Sequence, residues 1–183
     1  MNWLQSLRHR YALRTFGQRA KKVNFPHAFV DLERANSIGF VVNIEQFSAD
    51  NLVYFTKYIT HLEDKGKKVV VVEISYKRKA EPMFHDSNQS VFIGREQMNW
   101  LEFPSIKRLQ ELNASNLDIL VNLDTSEKLT SRFVCGLSNA KTRVGVHEQG
   151  YIAYYELMLQ LPLETKLHKI LEAFEFYSKM LEK

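Results

Sequence analysis

Cysteine is almost absent: Cys135 is the one thiol in 183 residues. A disulfide framework is therefore excluded, and a reducing cytoplasm is the expected compartment. Glycine is also scarce, at seven residues, and none of them builds a Gly-x-Gly-x-x-Gly turn or a Walker loop. The backbone cradles that hold nucleotide phosphates are thus missing. No apolar run approaches the ~18–20 residues that span a bilayer. The longest, Val69–Val72 and Asp118–Leu123, have the length of buried strands. Histidines are scattered at 9, 27, 61, 85, 147 and 168, without the clustering that a metal centre needs. Ser126 and Ser131 lack a nucleophile elbow. Cys135 sits between Phe133 and Leu137 on an amphipathic stretch and reads as a core residue. The expectation is a protein with no catalytic residue, no metal and no cofactor, acting without catalysis.

The most informative absence is of acid at the start of the chain. Residues 1–30 carry Arg8, Arg10, Arg14, Arg19, Lys21 and Lys22 and no Asp or Glu. The remaining 153 residues hold 19 basic and 21 acidic side chains, so a slightly acidic body follows a basic arm. An Arg-rich, acid-free start is shared with mitochondrial transit peptides, but there is no apolar core of a secretory signal. Trp3, Leu4, Leu7 and Tyr11 recur at helical spacing, whereas Leu13, Phe16 and Ala20 fall on roughly the opposite face. One helix touching two surfaces, or a bend at Gly17, accounts for that switch.

Beyond the arm, helical and strand patterns alternate. Strands are expected at Ile38–Ile44, Val69–Ile74, Val91–Ile93, Leu117–Leu123, Thr142–Val146 and Tyr154–Leu161. Helices are expected at Asp50–Lys65, capped by Ser48 and stopped by Gly66, and at Ser105–Leu112, Ser126–Leu137 and Leu163–Glu182. The pattern predicts a three-layer, Rossmann-like α/β sandwich with a mostly parallel sheet, preceded by a basic N-terminal helix. The domain division that follows is an arm over residues 1–30 and one α/β domain over 31–183. The body closes its own apolar periodicity, so residues 1–22 are expected to be dispensable for folding and necessary for partner binding. Ligand loops of such sheets lie at the carboxyl ends of the strands, here near Asn43, Ser75, Asp124 and His147.

Two resemblances follow from the placed strands. LDILVNLDTSEKLTSRFVCGLSNAKTRVGV, residues 117–146, resembles the amino-terminal half of heptosyltransferase-type glycosyltransferases, where an Ala-Lys-x-Arg-x-Gly turn leads into the next strand. That likeness implies a sugar- or nucleotide-binding half-domain. It lacks the second domain of those enzymes, and Ala49-Asp50 stands where they carry Gly-Asp. Asp50 also falls in the first turn of a helix, where a carboxylate is stabilising whatever its function. Over nearly the whole chain, RANSIGFVVN, MNWLEFP, LDILVNLD, TRVGV and YYELML, in this order, resemble a short uncharacterised family from Bacteroidetes.

The leading functional expectation is RNA or ribosome binding through the arm. Arginine pairs with phosphate and stacks on bases, and Trp3, Tyr11 and Phe16 are interleaved with the cations. The candidate RNA-binding residues are Arg8, Arg10, Tyr11, Arg14, Arg19, Lys21 and Lys22. Lys77, Arg78 and Lys79, at the presumed ligand edge, join them. Lys128, Arg132, Lys141 and Arg143 flank the next turn or its helix and read as surface charge. Two alternatives stand beside RNA. One is an anionic membrane surface, to which Trp3, Leu4 and Leu7 would bind beside arginine. The other is a small-molecule ligand of the glycosyltransferase type at the loops after Asn43 and Asp124.

Overall fold

The computed structural model describes residues 3–21, 28–84, 89–126, 128–146, 155–162 and 165–180. Valine-rich segments, buried on both faces, form the centre of a sheet. β1 (Ser37–Asn43) is buried throughout, and β2 (Lys68–Ile74) is buried except at Lys68. With β3 (Ser90–Ile93), β4 (Ile119–Asn122), β5 (Thr142–Val146) and β6 (Leu157–Leu159) they form six parallel strands in the order β3-β2-β1-β4-β5-β6. The expected three-layer Rossmann-like sandwich is observed, and its sheet is wholly parallel among the described strands.

Strand side chains alternate between two cores. Ile38, Phe40 and Val42 of β1 face one apolar cluster with Phe55 and Leu62 of α2 (Ala49–Asp64) and with Ile170, Leu171 and Phe174 of α5 (Leu167–Met180). Val41 faces the other, with Leu112 of α3 (Ile106–Ala114), Phe133 and Val134 of α4 (Thr130–Gly136), and Ala12 and Phe16 of α1 (Trp3–Ala20). Gly39 is required on this second face. A β-carbon there would come within 2.5 Å of Leu117 and 2.6 Å of Leu120, so its role is close packing and not ligand approach.

Local signals explain the element ends. The Ser48 side chain accepts the Asn51 N–H at the start of α2, a cap that contributes about 1 kcal/mol. Gly66 ends the helix at φ +77°, a left-handed conformation that glycine adopts without strain. α4 starts at Thr130 and not at Ser126 as the periodicity suggests. Asp124 Oδ1 accepts the Ser126 N–H at 2.9 Å, and Ser126 Oγ accepts from Lys128 N. These local side-chain bonds hold a turn where a helix would otherwise begin. Of the strand expected over Tyr154–Leu161, Leu157, Met158 and Leu159 pair with β5 among the described residues, and Tyr154 lies outside them.

α1 is one continuous helix with no break at Gly17. All seven residues of α4 are buried, so that helix needs cover on the side away from the sheet. α1 supplies it. Phe16 is 0% exposed and packs on Phe133 with ring centroids 4.8 Å apart. The same ring lies against Gly136, where a β-carbon would overlap it. One face of the expected arm is thus part of the core, and Phe16 is unavailable as a stacking platform.

Candidate nucleic-acid interface

Successive helical residues turn by about 100°, so α1 has a face opposite its core contacts. Trp3, Leu7, Arg10, Tyr11, Arg14 and Lys21 lie there and are exposed. The switch of apolar stripe is a helix with two contact surfaces. Ala12, Leu13, Phe16 and Ala20 serve the core, whereas Trp3, Leu4, Leu7 and Tyr11 face outward.

Two of the arm's cations are occupied by the body. Arg8 Nη2 donates to Glu102 Oε1 at 2.9 Å. The Arg19 guanidinium lies over the Phe103 ring, 4.5 Å from its centroid, a cation–π contact. Arg10, Arg14 and Lys21 form no ion pair within 4.0 Å among the described residues. Lys22 lies outside the described residues.

Glu102 ties α1 to the carboxyl edge of the sheet. Besides Arg8, its carboxylate accepts the Leu129 N–H at 3.3 Å, and its carbonyl accepts from Thr130 Oγ1 at 2.8 Å. These bonds place the middle of α1 beside the start of α4. From there Lys128 Nζ reaches over the Tyr76 ring, 5.3 Å from its centroid. The Lys77–Lys79 loop follows Tyr76 directly. Glu45 Oε1 pins that loop by accepting from Tyr76 N and Lys77 N, both at 2.8 Å, and Glu96 Oε1 accepts from Lys79 N at 3.1 Å. The carboxylates hold backbone, and the side chains of Lys77, Arg78 and Lys79 are exposed and without an ion pair among the described residues. Two basic segments far apart in sequence are therefore linked along one edge by Arg8–Glu102–Thr130 and Lys128–Tyr76.

One part of this surface escaped the sequence reading. Trp100 is 62% exposed and stacks on Tyr11, itself 57% exposed, with centroids 6.3 Å apart and planes 19° apart. A tight loop presents it. Asn99 Oδ1 accepts from Leu101 N and Phe103 N, Asn99 N donates to Phe103 O, and Met98 bridges Pro104. Glu102 sits within the loop at φ +67°, costly for a residue with a β-carbon. The sequence signal was a lone tryptophan between polar Asn99 and the buried Leu-Glu-Phe run. It looks like a core residue until the Asn99 turn is seen.

Three further basic residues of the α4–β5 region have structural surroundings, and Lys141 and Arg143 stand at the opposite, amino-terminal edge of the sheet. Arg143 is 5% exposed and grips Glu156 with two bonds, Nη2 to Oε1 at 2.6 Å and Nε to Oε2 at 3.1 Å. Arg132 is buried, and Lys141 pairs with Asp118 at 2.7 Å. For Arg143 and Arg132 the surface-charge expectation is corrected: both are buried, Arg132 within α4 and Arg143 against the Gly136 carbonyl at the end of that helix, which sequence spacing does not reveal.

The strand-order reversal between β1 and β4 leaves a crevice, the usual ligand position in such sheets. A cleft of about 240 Å³ lies there, lined by Gln46, Phe47, Thr125 and Lys166 among others. Gln46 Nε2 reaches Thr125 Oγ1 at 3.4 Å across it. Asp50 is exposed in the first turn of α2, which is the position that favours a carboxylate at a helix start. Asp124 Oδ2, in the loop after β4, and Ser131 Oγ, in α4, are buried without a hydrogen-bond partner among the described residues. No group of three or more His, Cys, Asp or Glu able to hold a metal occurs among the described residues. Burial pushes the Cys135 thiol well above its ordinary range, so it is not poised as a nucleophile.

Among the described residues no helix is long and apolar enough to cross a membrane. No curated protein and no solved structure matches the chain. A family model does match, across residues 8–181, and the chain belongs to that family of unknown function, DUF6913.

Proposed function

We propose that this protein binds RNA without catalysis, as a cytoplasmic component of a ribosome-associated or other ribonucleoprotein assembly. The observation that carries the reading is the exposed Tyr11–Trp100 stack on a helix whose exposed cations, Arg10, Arg14 and Lys21, face the same solvent. Phosphate attracts the cations, and rings offer base-stacking area that no buried core residue can supply. The Lys77–Lys79 loop extends the positive surface along the same edge. Arg8 and Arg19 have local partners in the free protein, so their role in this reading is to fix α1 in place.

Filter binding of the full chain to a structured RNA across a salt series tests the proposal. Neutralising about five phosphates gives a log–log slope of roughly −3.5 to −4.5. Replacing Arg10 or Arg14 by Gln reduces that slope by about one unit each. A flat salt dependence, or a slope that ignores both substitutions, rejects it.

A further inference from the structure

We infer that this interface takes single-stranded RNA, holding unpaired bases on the Trp100–Tyr11 platform. The inference rests on the RNA reading and narrows it. Its basis is the way Trp100 is held. A tryptophan 62% exposed to water would ordinarily be mobile or buried by a neighbour. Here four hydrogen bonds through Asn99 and its neighbours stiffen the loop beneath it: Leu101 N and Phe103 N to Asn99 Oδ1, Asn99 N to Phe103 O, and Glu102 N to Asn99 O. The loop also carries the left-handed Glu102, whose side chain is anchored to Arg8 and Leu129. Fixing the ring beforehand removes most of the ordering cost of a stacking partner.

The chemistry favours an unpaired strand over a duplex. In an A-form helix the base faces are already stacked on one another and the deep groove excludes side chains. A ring platform gains nothing from a duplex, and it gains stacking from a base that is splayed out. Trp3 lies on the same face of α1, eight residues or about 12 Å before Tyr11. The apolar surface therefore runs along the strand and is not a single point. Arg10 and Arg14 flank it with no ion-pair partner among the described residues, and α1 carries no acid that would repel phosphate.

The chain has two tryptophans, Trp3 and Trp100, and both lie on this surface. Intrinsic fluorescence thus reports the interface directly, and Trp3→Phe leaves Trp100 as the one reporter. The full chain carrying Trp3→Phe is titrated with a 12-nucleotide single-stranded RNA, with a blunt duplex of the same sequence, and with phosphatidylserine-containing vesicles. The expected result is quenching by the single strand and none by the duplex. In filter binding, Trp100→Phe keeps single-strand affinity, whereas Trp100→Leu, apolar but without a ring, weakens it by about 5- to 100-fold. Both variants should melt with the parent, because the ring is exposed.

Equal affinity for single strand and duplex, without quenching, overturns the stacking inference and leaves the wider RNA reading standing. Absence of binding to either RNA at low salt overturns both. A blue shift with vesicles and none with RNA assigns the surface to lipid and overturns the inference, as does a Trp100→Leu variant that binds as well as Trp100→Phe.

Discussion

Replacing Phe16 by alanine asks whether α1 is a covering helix or an arm. The ring is fully buried, stacked obliquely on Phe133, and closes over Gly136. Phe→Ala at such a site costs about 3–5 kcal/mol. That is a large share of the roughly 5–15 kcal/mol that holds a domain together. The partner substitution, Gly136→Ala, places a methyl group inside the space of the Phe16 ring. The ring is confined by Phe133 and cannot retreat freely, so overpacking costs about 1–3 kcal/mol. In a Phe16→Ala background that obstacle is gone. The methyl then partly fills the hole, and alanine favours the helix over glycine by up to about 1 kcal/mol. The sign of Gly136→Ala should reverse between the two backgrounds, with a coupling of at least about 2 kcal/mol. Urea unfolding of the four proteins measures it, with an unchanged m-value showing that the same transition is compared. Should Phe16→Ala prove too unstable to measure, Phe16→Leu retains most of the volume and gives the same sign change in weaker form. If Phe16→Ala costs less than about 1 kcal/mol, below the range for core aromatics, and Gly136→Ala is additive with it, α1 is a detachable arm and the packing argument is refuted.

Glu102 sits at φ +67° while its carboxylate holds Arg8 and Leu129 N–H. Both Glu102→Ala and Glu102→Gly lose those bonds, but glycine relieves the backbone, so the alanine variant should be less stable by about 1 kcal/mol in chemical denaturation. Burial alone would raise the Asp118 carboxyl, but the Lys141 ammonium and the N–H groups of Asn36 and Ser37 outweigh it and hold it below the usual range. A depressed folded-state pKa contributes stability above the unfolded value of about 3.9, and that contribution is lost as pH falls through the lower folded value. Asp118→Asn should therefore lower the melting temperature at neutral pH and flatten its acid decline below about pH 4. Removing one partner of the buried Arg143–Glu156 pair, as in Arg143→Leu, should destabilise by about 3 kcal/mol, read by thermal unfolding. Cys135, buried and with its thiol titrating far above neutrality, should react with an aromatic disulfide reagent in denaturant and not in the native protein.

The architecture is legible in the sequence because the signals that set it are local. Val69–Val72, the Ser48 cap and Gly66 mark a strand and the two ends of a helix within a few residues of each site. Alternation of such segments, with crossovers too long for hairpins, left a parallel α/β sheet as the consistent arrangement. The acid-free start was equally legible, since charge is a property of composition. What the sequence could not supply was which apolar stripe faces which surface. α1 shows two stripes, and periodicity alone does not say that Phe16 belongs to the core while Trp3 and Tyr11 belong to solvent. That was decided by α4, whose burial on all sides demands cover from a helix more than a hundred residues away. The same limit hid the interface. Trp100 meets Tyr11, and Arg8 meets Glu102, only because α1 lies on α4 and a left-handed turn aims the loop. Contacts between distant segments depend on how layers stack, and burial makes structural residues of Arg132 and Arg143 while leaving Arg10 and Arg14 to solvent.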